Sequence, residues 1–455
     1  MSGKNIPVID PSDPLSAEGE GPVPSVRPGR LRRFTFLLLG FIDEVEQRAP
    51  GYFRHNRLTL LLDSEPESGL IGTEYLATVA GLRGVELAYV REEERLNAVD
   101  RLFALQAQAP DFNFEDELAH GVDEKSLART LVDDYDRHRE EHARRVDEAM
   151  ATLDRGRVEV QGDCALSYYV GGKGERTLVI VNAYGHGLGY WTKLLAGLME
   201  GHRVVVWLPR GHEHGTIGVN RFEPVGVHAD DLNRLLIHLN VEKCDLLGWC
   251  TGPKLLLEFY ARHPEKVSTM VFLNGAFKGP DGRKNLETEY EISLEPLFKL
   301  VNETPHVAPL LADSLKAVLL KQKASAGSGP AGDGRITEVL SSVNAGLRDL
   351  VVQPFCDERS VVNYARQLLD FWGHDIAPLL PRVQAPVLLI GGECDRIASP
   401  QMSETVAGLI PLAKHLEVRG GSHYLHYERH ELMTAIIGDF IKRPRDFDFD
   451  HELLK

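Results

Sequence analysis

The sharpest chemical signal in the chain is the stretch Leu246-Leu247-Gly248-Trp249-Cys250-Thr251-Gly252-Pro253-Lys254. Glycines stand two before and two after a cysteine, between an apolar run that reads as a strand and one that reads as a helix. This spacing lets a strand turn sharply into a helix without Cβ collisions, and holds the apex residue strained and exposed. A sulfur at that apex lies at a helix start, whose partial positive charge favours a thiolate. The chemistry open to it is nucleophilic attack on a carbonyl, given a base and a group that orients the base. The competing reading of Cys250, a small buried apolar residue, sits poorly with glycines on both sides.

Acid and base candidates follow later in the chain. Leu389-Ile390-Gly391-Gly392-Glu393-Cys394-Asp395 ends an apolar run in a carboxylate, and Gly420-Gly421-Ser422-His423 presents an imidazole. Asp395 also reads as a helix cap, because Ser399-Pro400 marks a nearby helix start. His426 and His430 compete with His423, and both are expected to face solvent or to cap the terminal helix. Cys164, Cys244 and Cys394 read as ordinary packing residues. Trp249 and Trp191 read as walls of the core or of the pocket.

These groups need a frame. Short runs rich in Val, Leu and Ile occur at Thr177–Val181, Arg203–Trp207, Cys244–Leu247, Thr269–Leu273 and Pro386–Ile390. Unbroken apolar runs of this length fit strands buried on both faces. Helices are expected between them at Trp191–Glu200, His228–Leu239, Lys254–His263 and Gln401–Leu409. The alternation predicts a mostly parallel, doubly wound α/β sheet. Between 279 and 380 it gives way to helices alone (Leu294–Val301, Pro309–Lys321, Ile336–Leu350 and Val361–Phe371), interrupted by a linker-like stretch at 324–334. An all-helical insertion at the strand ends is a natural lid.

The expected domains are therefore a core in two parts, 156–278 and 381–445, a helical cap at 279–380, and a tail at 446–455. Residues 31–155 read as a separate, mainly helical accessory unit of open role. Its expected helices are Arg33–Gln47, Thr73–Leu82, Arg91–Gln108 and Glu124–Leu153, with strands at Leu58–Leu62 and Val85–Val90. Asp133/Arg137, Glu140/Arg144 and Glu141/Arg145 read as a solvated helix face. Residues 1–30, rich in proline, read as a disordered leader.

Composition narrows the function classes. The chain has 455 residues, 43% hydrophobic and 26% charged, ample for a real core. Its net charge of −16 gives no global attraction to nucleic acid or to anionic lipid. Five cysteines, with no pair in CxxC spacing, form neither a disulfide framework nor a structural zinc site. The most apolar run, Phe34–Ile42, is far shorter than the ~20 residues of a membrane helix. A cytoplasmic location is the expectation.

Residues from about 157 to 445 resemble the α/β-hydrolase superfamily. Val181-Asn182-Ala183-Tyr184-Gly185-His186-Gly187 stands in the place of its third-strand loop and Leu208-Pro209-Arg210-Gly211-His212 in that of its fourth. The elbow, a helical cap, an acid after a strand and a histidine then follow in that superfamily's order. The resemblance implies an α/β-hydrolase fold and a Cys250–His423–Asp395 triad. It also implies oxyanion contacts from the backbone amides of Thr251 and Tyr184, with Ala183 the second choice, and a substrate wall at Trp249 and Ala183. Asn182-Ala183 replaces the common His-Gly pair. A three-histidine zinc site at His186, His212 and His214 is set aside, because His212 fits the fourth-strand turn. No metal and no cofactor is expected.

Cysteine in place of the superfamily's usual serine points to the substrate. A cysteine nucleophile forms a thioester, so transfer from a coenzyme A or carrier-protein thioester is nearly isoenergetic and leaves the acyl group activated. The resemblance thus favours a thioesterase, cyclase or acyltransferase of natural-product biosynthesis. Its partner would be an acyl thioester, with no nucleic acid and no membrane, and a homodimer remains open. Alternatives are an ester or lactone hydrolase, a polyhydroxyalkanoate synthase-like polymerase, and an inactive scaffold. Those polymerases share the GxCxG elbow, but Pro253 stands where they usually carry glycine.

Overall fold

The apolar runs become strands because both their faces are covered. In the computed structural model the described residues are 8–9, 30–48, 50–61, 72–107, 118, 123–160, 164–210, 224–279, 284–313, 347–418 and 421–448. Strand β1 is Val8–Ile9. β2 (Leu58–Leu61) and β3 (Leu87–Val90) form a separate parallel pair. The main sheet contains β1 and β4 (Asp154–Val160), β5 (Cys164–Gly171), β6 (Thr177–Val181), β7 (Arg203–Trp207), β8 (Cys244–Trp249), β9 (Val267–Leu273), β10 (Val387–Gly392) and β11 (Ala413–Val418). Its nine strands run in the order β1-β11-β10-β9-β8-β6-β7-β5-β4. Pairing is parallel except for β4 with β5 and β5 with β7.

Every residue of β8 and β10 is buried, so their sequences do not alternate. At the edge, β4 does alternate, and it turns Arg157 and Glu159 outward while Val158 and Val160 face the core. The chain runs from β6 outward to β7, then returns to β8 on the other side of β6. That reversal opens a crevice at the carboxyl ends of β6 and β8, the usual ligand position in such sheets.

Helices are numbered along the chain: α1 (Arg30–Arg48), α2 (Thr73–Gly81), α3 (Ala98–Ala107), α4 (Glu124–Ala151), α5 (Thr192–Gly201), α6 (Val225–His238), α7 (Gly252–Arg262), α8 (Glu289–Glu303), α9 (Glu358–Gly373), α10 (Pro400–Ala407) and α11 (His430–Lys442). None of the described helices is long and apolar enough to cross a membrane. Two compact units divide near residue 145. In the first, Leu38, Leu39, Leu76, Val79 and Phe103 form a core at 1% exposure or less, and the Thr35 and Tyr75 hydroxyls bond at 2.8 Å.

Two expectations need correction, and two others are placed beside them. The helix expected from Arg91 begins at Ala98, because Asn97 Oδ1 accepts the amides of Val99 and Asp100 at 2.8 and 3.0 Å and so caps the chain there. The expected solvated face of α4 is exposed at Asp133, Arg137, Glu140, Glu141, Arg144 and Arg145, while beside it Asp134 takes Arg32 of α1 at 3.0 Å and Asp136 takes Arg83. Within the expected leader, Val8–Ile9 pairs with Glu417 and Val418 of β11 and satisfies a sheet edge. Of the helix expected at Ile336–Leu350, residues 336–346 lie outside the described residues, and a single turn spans Arg348–Val351. The rest of the leader, apart from Arg30, lies outside the described residues, as do the 324–334 linker and the Pro309–Lys321 helix beyond Asp313.

Between β9 and β10 the chain is helical. Thr288 and Glu291 cap α8 reciprocally, and Asp357 caps α9 through the Ser360 amide at 2.8 Å. Burial pushes the Glu291 carboxyl up to about 7. Phe298 of α8 stacks on Trp372 of α9 with centroids 6.0 Å apart. Beneath them Lys254 of α7 is wholly buried. Its Nζ donates to the carbonyls of Phe371 at 2.7 Å and His374 at 3.0 Å, and to that of Lys278. The ammonium thus satisfies the carboxyl-terminal carbonyls of α9, where a cation is favoured.

Replacing that ammonium with a thioether leaves buried carbonyls unsatisfied. Lys254→Met is expected to lower unfolding free energy by about 3 kcal/mol, read from urea titration. A midpoint equal to wild type would show that the clamp contributes nothing.

Candidate active site

Cys250 follows β8 directly, and its backbone takes φ 55°, the left-handed region a side chain rarely adopts. Two bonds hold it there: its N–H donates to Leu273 O at 3.1 Å, and its carbonyl accepts from Ala276 N–H at 2.8 Å. The flanking glycines are sterically required. A Cβ on Gly248 would lie 2.8 Å from the backbone of Gly252 and Pro253, and one on Gly252 would lie 2.6 Å from Val181 O. The elbow therefore packs against β6, and this close approach aims the sulfur across the carboxyl end of the sheet.

Asp395 lies on the turn after β10, 4% exposed. Its Oδ1 accepts from the amides of Ile397 and Ala398 at 2.8 and 2.9 Å. Its Oδ2 accepts from Asn274 Nδ2 at 2.9 Å and lies 2.8 Å from His423 Nδ1. The capping role and the acid role thus fall on the two oxygens of one carboxylate. With Nδ1 committed to Asp395, His423 lines the same cleft as Cys250. Burial alone would lower the imidazole. The charges of Asp395 and Cys250, and the hydrogen bond to Asp395, outweigh burial and raise it to about 10.

The sulfur and imidazole line a narrow cleft, walled by Trp249, Phe355, Tyr290, Tyr364 and Tyr424. Burial raises Tyr290, Tyr364 and Tyr424, and each also feels the Cys250 charge. Trp249 is both core and wall: it is fully buried, lines the cleft, and donates Nε1–H to His423 O at 3.0 Å. Trp191 is fully buried and gives its Nε1–H to Asn182 Oδ1 at 3.1 Å.

The remaining expected residues are placed as follows. The backbone N–H of Tyr184 faces the elbow and donates to Thr251 Oγ1 at 3.0 Å, while its ring packs on His228 and Phe371. Ala183 lies at 1% exposure, and its N–H is held by Asn182 Oδ1 at 2.9 Å, so its amide is turned away from the oxyanion role. His186 lines the cleft beside Trp249, 5.3 Å between centroids. His212 and His214 lie outside the described residues.

His426 departs from expectation. It is fully buried, 4.5 Å from both Trp191 and Trp249, and burial holds it well below its ordinary range. The single turn Leu425–Glu428 directs it inward. His430 starts α11 and is half-buried. Asn274, which sequence reasoning missed, ends β9 at φ 44° and bonds Asp395 and Ser422 O. Its position at the carboxyl end of a central strand was the available signal.

Strand order, elbow and acid–base pair together define the α/β-hydrolase fold, and the comparisons with known proteins agree. Residues 176–330 match the family model described as alpha/beta hydrolase fold. A 2-hydroxy-6-oxononadienedioate/2-hydroxy-6-oxononatrienedioate hydrolase of Paraburkholderia xenovorans is 24% identical over 304 residues, 62% of this chain and 92% of its own. The putative carbamate hydrolase RutD of Pantoea ananatis is 23% identical over 282 residues, 59% of this chain and 88% of its own. Among solved structures, MGS-M2, an alpha/beta hydrolase enzyme from a Medee basin deep-sea metagenome library, superposes with a TM-score of 0.51 at 17% identity. That match covers 65% of this chain and 100% of MGS-M2.

The folded His423 holds its proton more tightly than an unfolded histidine, at 6.5. Its contribution to stability is therefore complete below about pH 6.5 and is lost as pH rises through about 10. Urea unfolding across that window is expected to fall more steeply in wild type than in Asp395→Asn. Parallel curves would remove the carboxylate as the cause.

Proposed function

We propose that the chain is an acyl-transfer enzyme that takes its acyl group from a thioester, a coenzyme A or carrier-protein conjugate. The observation that supports the reading is that Cys250 and His423 line one aromatic cleft, with Asp395 Oδ2 2.8 Å from His423 Nδ1. Sγ adds to the carbonyl carbon as a thiolate, its proton already held on His423. Collapse of the tetrahedral adduct expels the donor thiolate, which takes that proton and leaves an acyl-S-cysteine. Asp395 holds the imidazole in orientation and stabilises its charged form. The amide of Thr251 faces the developing oxyanion.

The acyl group then passes to an acceptor activated by the same histidine. Sulfur-to-sulfur exchange keeps the acyl group activated, which favours transfer over simple loss to water.

A second reading has its own support: the named relatives are hydrolases. Water would then be the acceptor, and the substrate an ester or lactone.

Intact-protein mass spectrometry with an acyl thioester separates the two. Wild type is expected to gain the acyl mass on Cys250, and Cys250→Ala to gain none while keeping its fold. Cys250→Ser is expected to retain some turnover but to lose product to hydrolysis. Turnover of simple aryl esters with no adduct from any thioester would favour the hydrolase.

A further inference from the structure

Thr251 occupies the N-cap of α7, where a threonine oxygen ordinarily accepts from amides of the first helical turn. It makes no such bond. Its Oγ1 instead accepts the N–H of Tyr184, 3.0 Å away and 67 positions distant in sequence. The side chain is 3% exposed. The hydroxyl therefore stands between the elbow and the loop after β6, on the residue next to Cys250, which lines the cleft.

A hydroxyl has one hydrogen to give and two lone pairs. Tyr184 uses a lone pair, so the hydrogen is left to point at another acceptor. An N–H donating into the oxygen also polarises the O–H and strengthens its donation. The neighbouring Ala183 amide offers no substitute, because Asn182 holds it.

We propose that the Thr251 hydroxyl is itself an oxyanion donor, the outer member of a relay from Tyr184 N–H through Oγ1 to the substrate oxygen. This rests on the acyl-enzyme reading above. As Sγ adds to carbon, the C=O π pair moves onto oxygen, where the Thr251 hydroxyl and the Thr251 amide both donate. No proton changes owner in the relay. On collapse the pair returns to re-form C=O, and the leaving group departs with the proton from His423.

The test compares wild type, Thr251→Val and Thr251→Ser in single-turnover acylation, with an acetyl thioester and with p-nitrophenyl acetate. Valine keeps the shape and removes the donor, whereas serine restores it. Thr251→Val is expected to acylate about 10- to 100-fold more slowly with half-saturation near wild type, and Thr251→Ser to stay within a few-fold. Iodoacetamide alkylation of Cys250, which develops no oxyanion, is expected to be equal in all three.

A valine variant as fast as wild type, or faster, overturns the proposal and makes the hydroxyl a plug that substrate displaces. Equal loss of acylation and alkylation also overturns it, by placing the damage in the elbow. Acylation by the ester alone would sink the thioester reading and leave the valine–serine comparison decisive. Acylation of wild type by neither donor sinks both.

Discussion

A backbone forced into the left-handed region at Cys250 is the constraint on which the rest of the site depends. For a residue with a side chain that conformation costs about 1–2 kcal/mol. It persists because β9 and the loop behind it grip the peptide on both sides, through Leu273 and Ala276. The same bend sets where α7 starts and brings Thr251 to the loop after β6. Relax the bend, and the sulfur, the helix start and the crevice lose register together.

How much was legible in the sequence follows from how local each requirement is. β6 and β7 fall on their expected residues because each is a short, unbroken apolar run buried along most of its length. The elbow was legible because its glycines answer a clash within a few residues and with β6. Asp395 was legible after the apolar run at Pro386–Ile390, whereas His423 was legible only from Gly420-Gly421-Ser422 and the resemblance, because Ala413–Val418 of β11 was not read as a strand. Asn274 was missed because its role exists only once β9 lies beside β10. The inward turn of His426 was missed for a similar reason: a short turn after His423 carries no periodicity, and only the packing of Trp191 and Trp249 makes its slot. The tyrosines of the cleft wall come from α8, α9 and the segment after His423, a convergence that no local pattern announces.

Asp395 shows how one group can satisfy two readings that compete in sequence. Its oxygens divide the work, two backbone amides on one and the imidazole with Asn274 on the other. A carboxylate with so many donors is pinned in position as well as charged, so the histidine it orients has little angular freedom. Shape and wetness of the cleft, more than the triad, distinguish enzymes that share this frame.

Lys254 lies four residues past the nucleophile, on the helix that begins at the elbow, and its ammonium is sunk among carbonyls at the far end of α9. The roof of the cleft and the seat of the nucleophile are thus riveted to one rod. One buried ammonium thus couples the position of α9, which carries Tyr364 of the cleft wall, to that of the helix that begins at the elbow.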